Sequence, residues 1–344
     1  MSLMAKLKKN SKIKLSSQMD KSEFFQEKEV VQTDVPMMNV ALSGSLDGGI
    51  TSGLTVLAGP SKHFKTSFAL KMAAAYLKAK PEAIMIFYDS EFGSPQSYFD
   101  TFGIDTSRVL HTPITDVEEL KFDLIAQLED MDKEDDVIIV IDSIGNLASK
   151  KELEDAKNEK SVADMSRAKA LKGLFRMTTP YLAMKNIPLL AINHTYKEIG
   201  LYPKDIVGGG TGIYYSANNI WIIGRRQNKT GTEVMGYDFV IKVEKSRFVK
   251  EQSKIPITVS WEGGIDEMSG LLDVAMASGD VVKPSNGWYQ KVGEEKKYRL
   301  ADLDRDFWAS ILAQESFQEF VKNAFQVGSA VVDLDIELEG DFNG

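Results

Sequence analysis

A chain of 344 residues with 43% hydrophobic and 26% charged side chains can bury one large core plus a smaller one, and its formal charge of −9 argues against a protein coated in nucleic acid. The absence of cysteine excludes disulfides, thiol catalysis and cysteine-bound zinc, and the histidines, His63, His111 and His194, are too far apart in sequence to suggest a histidine-rich metal site. No apolar run reaches membrane-spanning length, and the lysine-rich start (Lys6, Lys8, Lys9, Lys12, Lys14) lacks the apolar stretch of a secretion signal, so the expected setting is reducing and cytoplasmic, with no membrane.

Residues 1–19 read as a basic, polar, solvated tail and 20–27 as a short helix presenting Phe24 and Phe25. Such an arm either folds locally or docks on a neighbouring subunit. Residues 36–44 lead through Gly48, Gly49 and Gly53 into an apolar run, 54–58, of strand character. Then comes Gly59-Pro60-Ser61-Lys62-His63-Phe64-Lys65-Thr66-Ser67, and a helical pattern follows over 67–78 and ends at Pro81. A strand, a turn opening on glycine, Lys-Thr and a helix describe a phosphate-binding loop that lacks its second glycine, with Phe64 in its place. Such a loop aims backbone N–H groups and a helix N-terminus at the β- and γ-phosphates of a nucleotide. Lys65 adds a point charge on those phosphates and Thr66 a hydroxyl ligand for Mg²⁺.

Residues 83–89 are continuously apolar up to Asp89, as in a strand buried on both faces, and Asp89-Ser90-Glu91 follows. A helix is expected over 116–130, then a second buried strand, 137–141, ending at Asp142, whose carboxylate suits Mg²⁺ or its bound water. A helix over 161–185 precedes a third such strand, 188–193, ending at His194. Strands near 218–224, 237–245 and 255–260 complete the sheet. This alternation predicts a mainly parallel α/β sheet, in which ligands sit beyond the carboxyl ends of the strands. Lys65, Glu91, Asp142 and His194 all fall at or just past those ends. Residues 266–344 read as a small α+β domain: a helix over 271–278, a hairpin around 284–297 and helices near 305–326. Its end holds Asp333, Asp335, Glu337, Glu339 and Asp341 without a base; removing these acids more than halves the net charge, so any nucleic-acid site is a local basic groove.

Glu91 is placed where a carboxylate could orient a water in line with the γ-phosphate, the alternative being a capping acid. His194 could donate to the γ-phosphate or be a satisfied structural histidine. Residues 149–176 carry more bases than acids, and Arg167, Lys169, Lys172 and Arg176 stand together with no acid among them. Residues 195–212 end in Val207-Gly208-Gly209-Gly210-Thr211-Gly212, too glycine-rich to expect a rigid element. Loops of this kind beside a nucleotide could grip a phosphate backbone, or be a solvated helix face and a disordered loop. Lys245 and Arg247 lie on one face of a strand end, either in a structural salt bridge or offered to a neighbour's γ-phosphate.

In this order, Gly59-Pro60-Ser61 with Phe64-Lys65-Thr66, Tyr88-Asp89-Ser90-Glu91, Val140-Ile141-Asp142-Ser143, Ile192-Asn193-His194 and Gly209-Gly210-Thr211-Gly212 resemble the RecA-type recombinases, and among them the recombination and repair proteins of T-even-type bacteriophages. The resemblance runs from about Phe24 to about Gly328. It implies a RecA-like core over 36–265, a filament-linking arm over 1–35 and a C-terminal α+β domain with an acidic tail over 266–344. It also implies a DNA-dependent ATPase that forms ATP-bound filaments on single-stranded DNA, pairs it with duplex and exchanges strands. In that family's roles, residues 59–67 bind ATP, Thr66 and Asp142 hold Mg²⁺, Glu91 activates water, Tyr98 stacks on adenine and His194 stands where a glutamine senses the γ-phosphate. Lys245 and Arg247 match a basic pair reaching the neighbour's ATP, and the segments holding Arg167, Lys169, Lys172, Arg176, Gly209 and Gly210 match the DNA-binding loops. Implied partners are single- and double-stranded DNA, further copies of the chain, a single-strand-binding protein, a recombination mediator and a helicase of a phage replication machinery, in the host cytoplasm. A ring helicase on the same fold and a non-catalytic filament mediator are the rival readings.

Overall fold

The computed structural model describes residues 2–22, 29–159, 165–200, 203–230, 233–261 and 263–328. Its main feature is a nine-stranded sheet. In chain order the strands are β1 (Gly53–Ala58), β2 (Ile84–Asp89), β3 (Val109–Pro113), β4 (Val137–Asp142), β5 (Pro188–Asn193), the two-stranded ladder β6 (Thr195–Lys197) with β7 (Asp205–Val207), β8 (Asn219–Thr230), β9 (Glu233–Ser246), β10 (Lys254–Ser260) and β11 (Gly264–Ile265). The sheet order is β11-β10-β9-β8-β1-β5-β4-β2-β3. From β8 to β3 neighbouring strands are parallel; β8 through β11 are antiparallel. The expected architecture is borne out.

The helices are α1 (Leu3–Asn10), α2 (Pro36–Ser43), α3 (Lys65–Ala79), α4 (Gln96–Thr101), α5 (Val117–Asp130), α6 (Lys150–Lys157), α7 (Ser166–Met184), α8 (Thr211–Ser216), α9 (Leu271–Ser278), α10 (Arg305–Leu312) and α11 (Glu315–Phe325). The central strands are apolar throughout because alternate residues enter two different cores. Leu54, Val56, Tyr88, Ile139 and Ile141 face the cluster built by α5, α7 and α8. Leu57, Phe87, Ile138 and Val140 face the other, where α2 and α3 lie together with α9, α10 and α11. Phe307, Trp308, Phe317 and Phe325 share that second cluster with Phe68 of α3. A small antiparallel sheet, β12 (Val281–Ser285), β13 (Trp288–Lys291) and β14 (Lys297–Tyr298), stands beside these helices, and Trp288 and Tyr289 lie on its middle strand.

Several elements differ from expectation. Where a solvated tail was expected, α1 forms with every residue exposed, capped by Ser2, whose hydroxyl accepts from Ala5 N–H, and with Lys8 and Lys9 in the last turn. The expected helix over 20–27 falls largely outside the described residues. Helix α6 was not expected, although Ser149 and Glu152 form a reciprocal capping box at its start. The helix expected over 161–185 runs from Ser166 to Met184, with 160–164 outside the described residues. In the glycine-rich stretch the ladder β6–β7 pairs Thr195 with Val207 and Lys197 with Asp205, so this segment carries regular structure. Edge strand β3 was missed: one side has no partner, its burial is patchy, and no apolar run marks it.

Candidate active site

Strand β1 delivers the chain to Gly59, and six residues later α3 begins. Between them Lys62 and Phe64 adopt left-handed backbone, with φ of 62° and 59°. Glycine takes that conformation freely; for another residue it costs about 1–2 kcal/mol. Phe64 offsets this through its ring, stacked on Phe239 of β9 at 5.1 Å and set edge-on to Phe68 of α3 at 5.6 Å. Such aromatic pairs contribute about 0.5–1.5 kcal/mol each. The loop therefore keeps its turn without a second glycine, and Phe64 packs beneath it.

Around the loop the parallel register assembles the rest. Thr66 Oγ1 donates to Asp142 Oδ2 at 2.8 Å, joining the first turn of α3 to the end of β4. Asp142 Oδ1 is buried and has no hydrogen-bond partner. Burial drives the Asp142 carboxyl up to about 6, with Glu91 and Asp89 adding to the rise and Thr66 and Lys65 opposing it. An orphaned carboxylate oxygen beside a threonine hydroxyl fits a divalent cation whose remaining ligands are phosphate and water. Among the described residues no cluster of three or more His, Cys, Asp or Glu would hold a metal alone. Lys65 is buried, its Nζ donating to Pro60 carbonyl at 2.7 Å; burial pulls its ammonium below the usual range against the attraction of Glu91 and Asp142.

Glu91 lies two residues past β2, whose Asp89 pairs in register with Asp142. Its Oε1 accepts from Ser143 Oγ at 2.7 Å and lies 3.3 Å from His194 Nε2. The hydrogen bond from His194 holds the Glu91 carboxyl below its ordinary value, with desolvation opposing. His194 comes this close because residue 145 is glycine: a Cβ there would meet the imidazole Cδ2 at 2.3 Å. Tyr98 on α4 shares a hydrogen bond with Ser67 and is set edge-on to Phe102. Together Ser61, Lys62, His63, Phe64, Lys65, Thr66, Ser67, Glu91, Tyr98, Asp142 and His194 line one open cavity of ≈ 460 Å³. The strand-end residues singled out from sequence thus converge.

Sequence reasoning missed Arg225, Tyr237, Phe239 and Trp261, which line the same cavity. Arg225 donates to Lys62 carbonyl at 3.1 Å and lies over the Tyr237 ring at 4.6 Å; Trp261 is edge-on to Tyr237 at 5.2 Å. The alternation of Tyr237 and Phe239 along β9 was the available signal for an aromatic wall.

Other predicted residues lie elsewhere. Lys245 near the end of β9 and Arg247 just past it lie beside the start of β8, level with the beginning of β1 and so away from the phosphate loop. Lys245 Nζ donates to the carbonyls of Tyr214 and Ala217 (2.8 Å for the latter), at the end of α8, and Arg247 is exposed. On α7, Lys169, Lys172 and Arg176 are exposed, whereas Arg167 turns inward. Its Nε donates to Leu147 carbonyl at 2.7 Å and its Nη2 to those of Ile144 and Gly145 at 2.8 and 2.9 Å. Arg167 is thus a tie between α7 and the loop after β4. Gly209 and Gly210 have φ of 92° and 76°, and at Gly212 a Cβ would meet Lys172 at 2.7 Å; these glycines seat α8 against α7.

A mainly parallel sheet with a phosphate loop between its first strand and helix, and carboxylates at the neighbouring strand ends, defines a phosphate-loop α/β protein. The family description RecA N-terminal domain matches residues 4–266, and the C-terminal domain of the bacteriophage T4 recombination and repair protein matches residues 268–321. The chain belongs to the RecA family. It is 48% identical over 350 residues to the recombination and repair protein of Enterobacteria phage T4, covering 98% of this chain and 90% of that one. It is 26% identical over 268 residues to protein RecA of Thermus aquaticus, covering 75% of this chain and 76% of the relative. With protein RecA of Mycoplasma mycoides subsp. mycoides SC the figure is 25% over 267 residues, 75% of each. Among the described residues no helix is long and apolar enough to cross a membrane.

Proposed function

We propose that this chain is a DNA-dependent ATPase and recombinase, forming ATP-bound filaments on single-stranded DNA and catalysing homologous pairing and strand exchange in recombination, repair and recombination-dependent replication. The observation that carries this reading is the meeting of Lys65, Thr66, Asp142, Glu91 and His194 around one cavity in a RecA-family chain. In it the N–H groups of residues 59–67 cradle the phosphates, and Lys65 leaves the Pro60 carbonyl to bind them. Thr66 and Asp142 hold Mg²⁺, which when bound neutralises phosphate charge. Glu91, kept ionised by His194, orients the attacking water and takes its proton. Tyr98 faces the base, and Trp261 offers a second aromatic surface to it.

His194 precedes the ladder β6–β7, so its hydrogen bond can exchange Glu91 for the γ-phosphate and carry nucleotide state into that segment. Lys169, Lys172, Arg176 and the Gly209–Gly210 turn form the DNA side; Lys245 and Arg247 serve a neighbouring copy's nucleotide. The arm over 1–35, the core over 36–265 and the C-terminal domain over 266–344 are the units of this reading. Its partners are single- and double-stranded DNA, further copies of the chain, and a single-strand-binding protein, mediator and helicase of a phage replication machinery, in the host cytoplasm. ATP turnover measured with and without single-stranded DNA, alongside electron microscopy, tests it. Stimulated turnover with open helical filaments is expected; closed rings, or turnover indifferent to DNA, overturn it.

A further inference from the structure

Glu91 is held at both ends, and the grip on its main chain comes from residues outside the cavity. Asp89, buried at the end of β2, accepts from the N–H groups of Glu91 and Phe92 through Oδ1, at 3.0 and 2.8 Å. Two donors on one carboxylate oxygen fix the reversal after β2, where Phe92 takes a φ of 53°. The other oxygen, Oδ2, lies 3.2 Å from His111 Nε2 on β3. A carboxylate only accepts, so this ring nitrogen carries the proton. The ring is itself placed: Phe87 and His111 are register partners across β2 and β3, and their rings stack at 5.9 Å and 25°. Phe87 and Asp89, two residues apart, share a face of the sheet, so the stacked imidazole is brought against the carboxylate. At the far end, Ser143 and His194 hold the Glu91 side chain.

We propose that Asp89 and His111 are positioning residues for hydrolysis: they set the main chain of Glu91, and through it the angle at which its carboxylate meets the attacking water. The chain of contact runs from His111 on the edge strand, through Asp89, to Glu91; the Asp89 carboxylate accepts from the Glu91 and Phe92 N–H groups and faces His111, and lies in register beside Asp142. It rests on the reading of Glu91 given above. A group that positions the base without contacting substrate governs turnover and leaves binding alone, because small errors in the approach of the reacting atoms are costly while ground-state contacts persist.

The test uses the full-length chain with ATP, Mg²⁺ and saturating single-stranded DNA. The His111 side chain is 53% exposed, so His111→Ala leaves the fold intact, which a thermal melt verifies. His111→Ala is expected to lower kcat about three- to tenfold with KM for ATP unchanged within twofold. His111→Gln, which can still donate to Asp89 Oδ2, is expected to recover kcat to within about twofold of the unaltered chain. A kcat untouched by His111→Ala, an equal loss in the alanine and glutamine variants, or an effect confined to KM overturns the pair. No turnover by the unaltered chain, or full turnover by Glu91→Gln, overturns the reading of Glu91 and the pair with it; normal turnover that needs Glu91 and ignores His111 removes the pair alone.

Discussion

At the scale of single residues, Asp142 concentrates the electrostatic cost of the site. Its carboxyl ionises near 3.8 in the unfolded chain and at about 6 in the fold. The native state therefore holds that proton more tightly, and the associated stabilisation fades as pH rises from about 4 to 6. Above pH 6, without a cation, a penalty of about 3 kcal/mol remains. Asp142→Asn is accordingly expected to stabilise the metal-free protein by up to about 3 kcal/mol at pH 7.5 and hardly at all at pH 4, while ending Mg²⁺-dependent hydrolysis. Urea unfolding at the two pH values checks it; an equal difference at both would sink the assignment. Phe64 makes a second case. Phe64→Gly relaxes the left-handed backbone but removes the stacking on Phe239 and Phe68. Because the two terms nearly offset, the expected result is a net loss of no more than about 1 kcal/mol in denaturant titration, with ATP affinity kept within about threefold.

At the scale of elements, α7 divides its cations between two jobs. Arg167→Ala leaves three carbonyls without their donor and is expected to lower stability by about 1–3 kcal/mol in a thermal melt. Lys172→Ala and Arg176→Ala, on the exposed face, are expected to leave the melt unchanged and each reduce the salt dependence of single-strand binding by about one unit of slope. From sequence these cations formed one basic run; only the helical turn and the loop beneath it separate them. Other elements were legible for opposite reasons. Strands β1, β2, β4 and β5 are buried on both faces, so each reads as an apolar run, and the polar residue that ends it lies at the carboxyl edge where ligands bind. Lys65, Thr66, Glu91, Asp142 and His194 were therefore accessible from the chain alone. Trp261, Arg225 and the Asp89–His111 contact were not, because each depends on how β8 and β10 flank β9, or β2 meets β3, and register is a property of pairs of strands.

At the scale of the whole molecule, the basic pair lies away from the cavity of its own subunit. If the pair acts on a neighbour, Lys65→Ala and Lys245→Ala are each inactive alone, yet a 1:1 mixture regains about a quarter of full turnover, since one junction in four unites an intact loop with an intact lysine. A mixture as inactive as its components would show that Lys245 serves its own subunit. Lys245 has a further consequence under this reading. In the lone subunit its ammonium is lodged on the last carbonyls of α8, the helix seated by the glycine turn against α7. To join a filament it must trade those carbonyls for the phosphate of another copy, and a neighbour without nucleotide offers nothing in exchange. If Lys245 has that role, the growing end inspects each arrival for its cargo, and a proofreading step would lie in the parking place of one side chain.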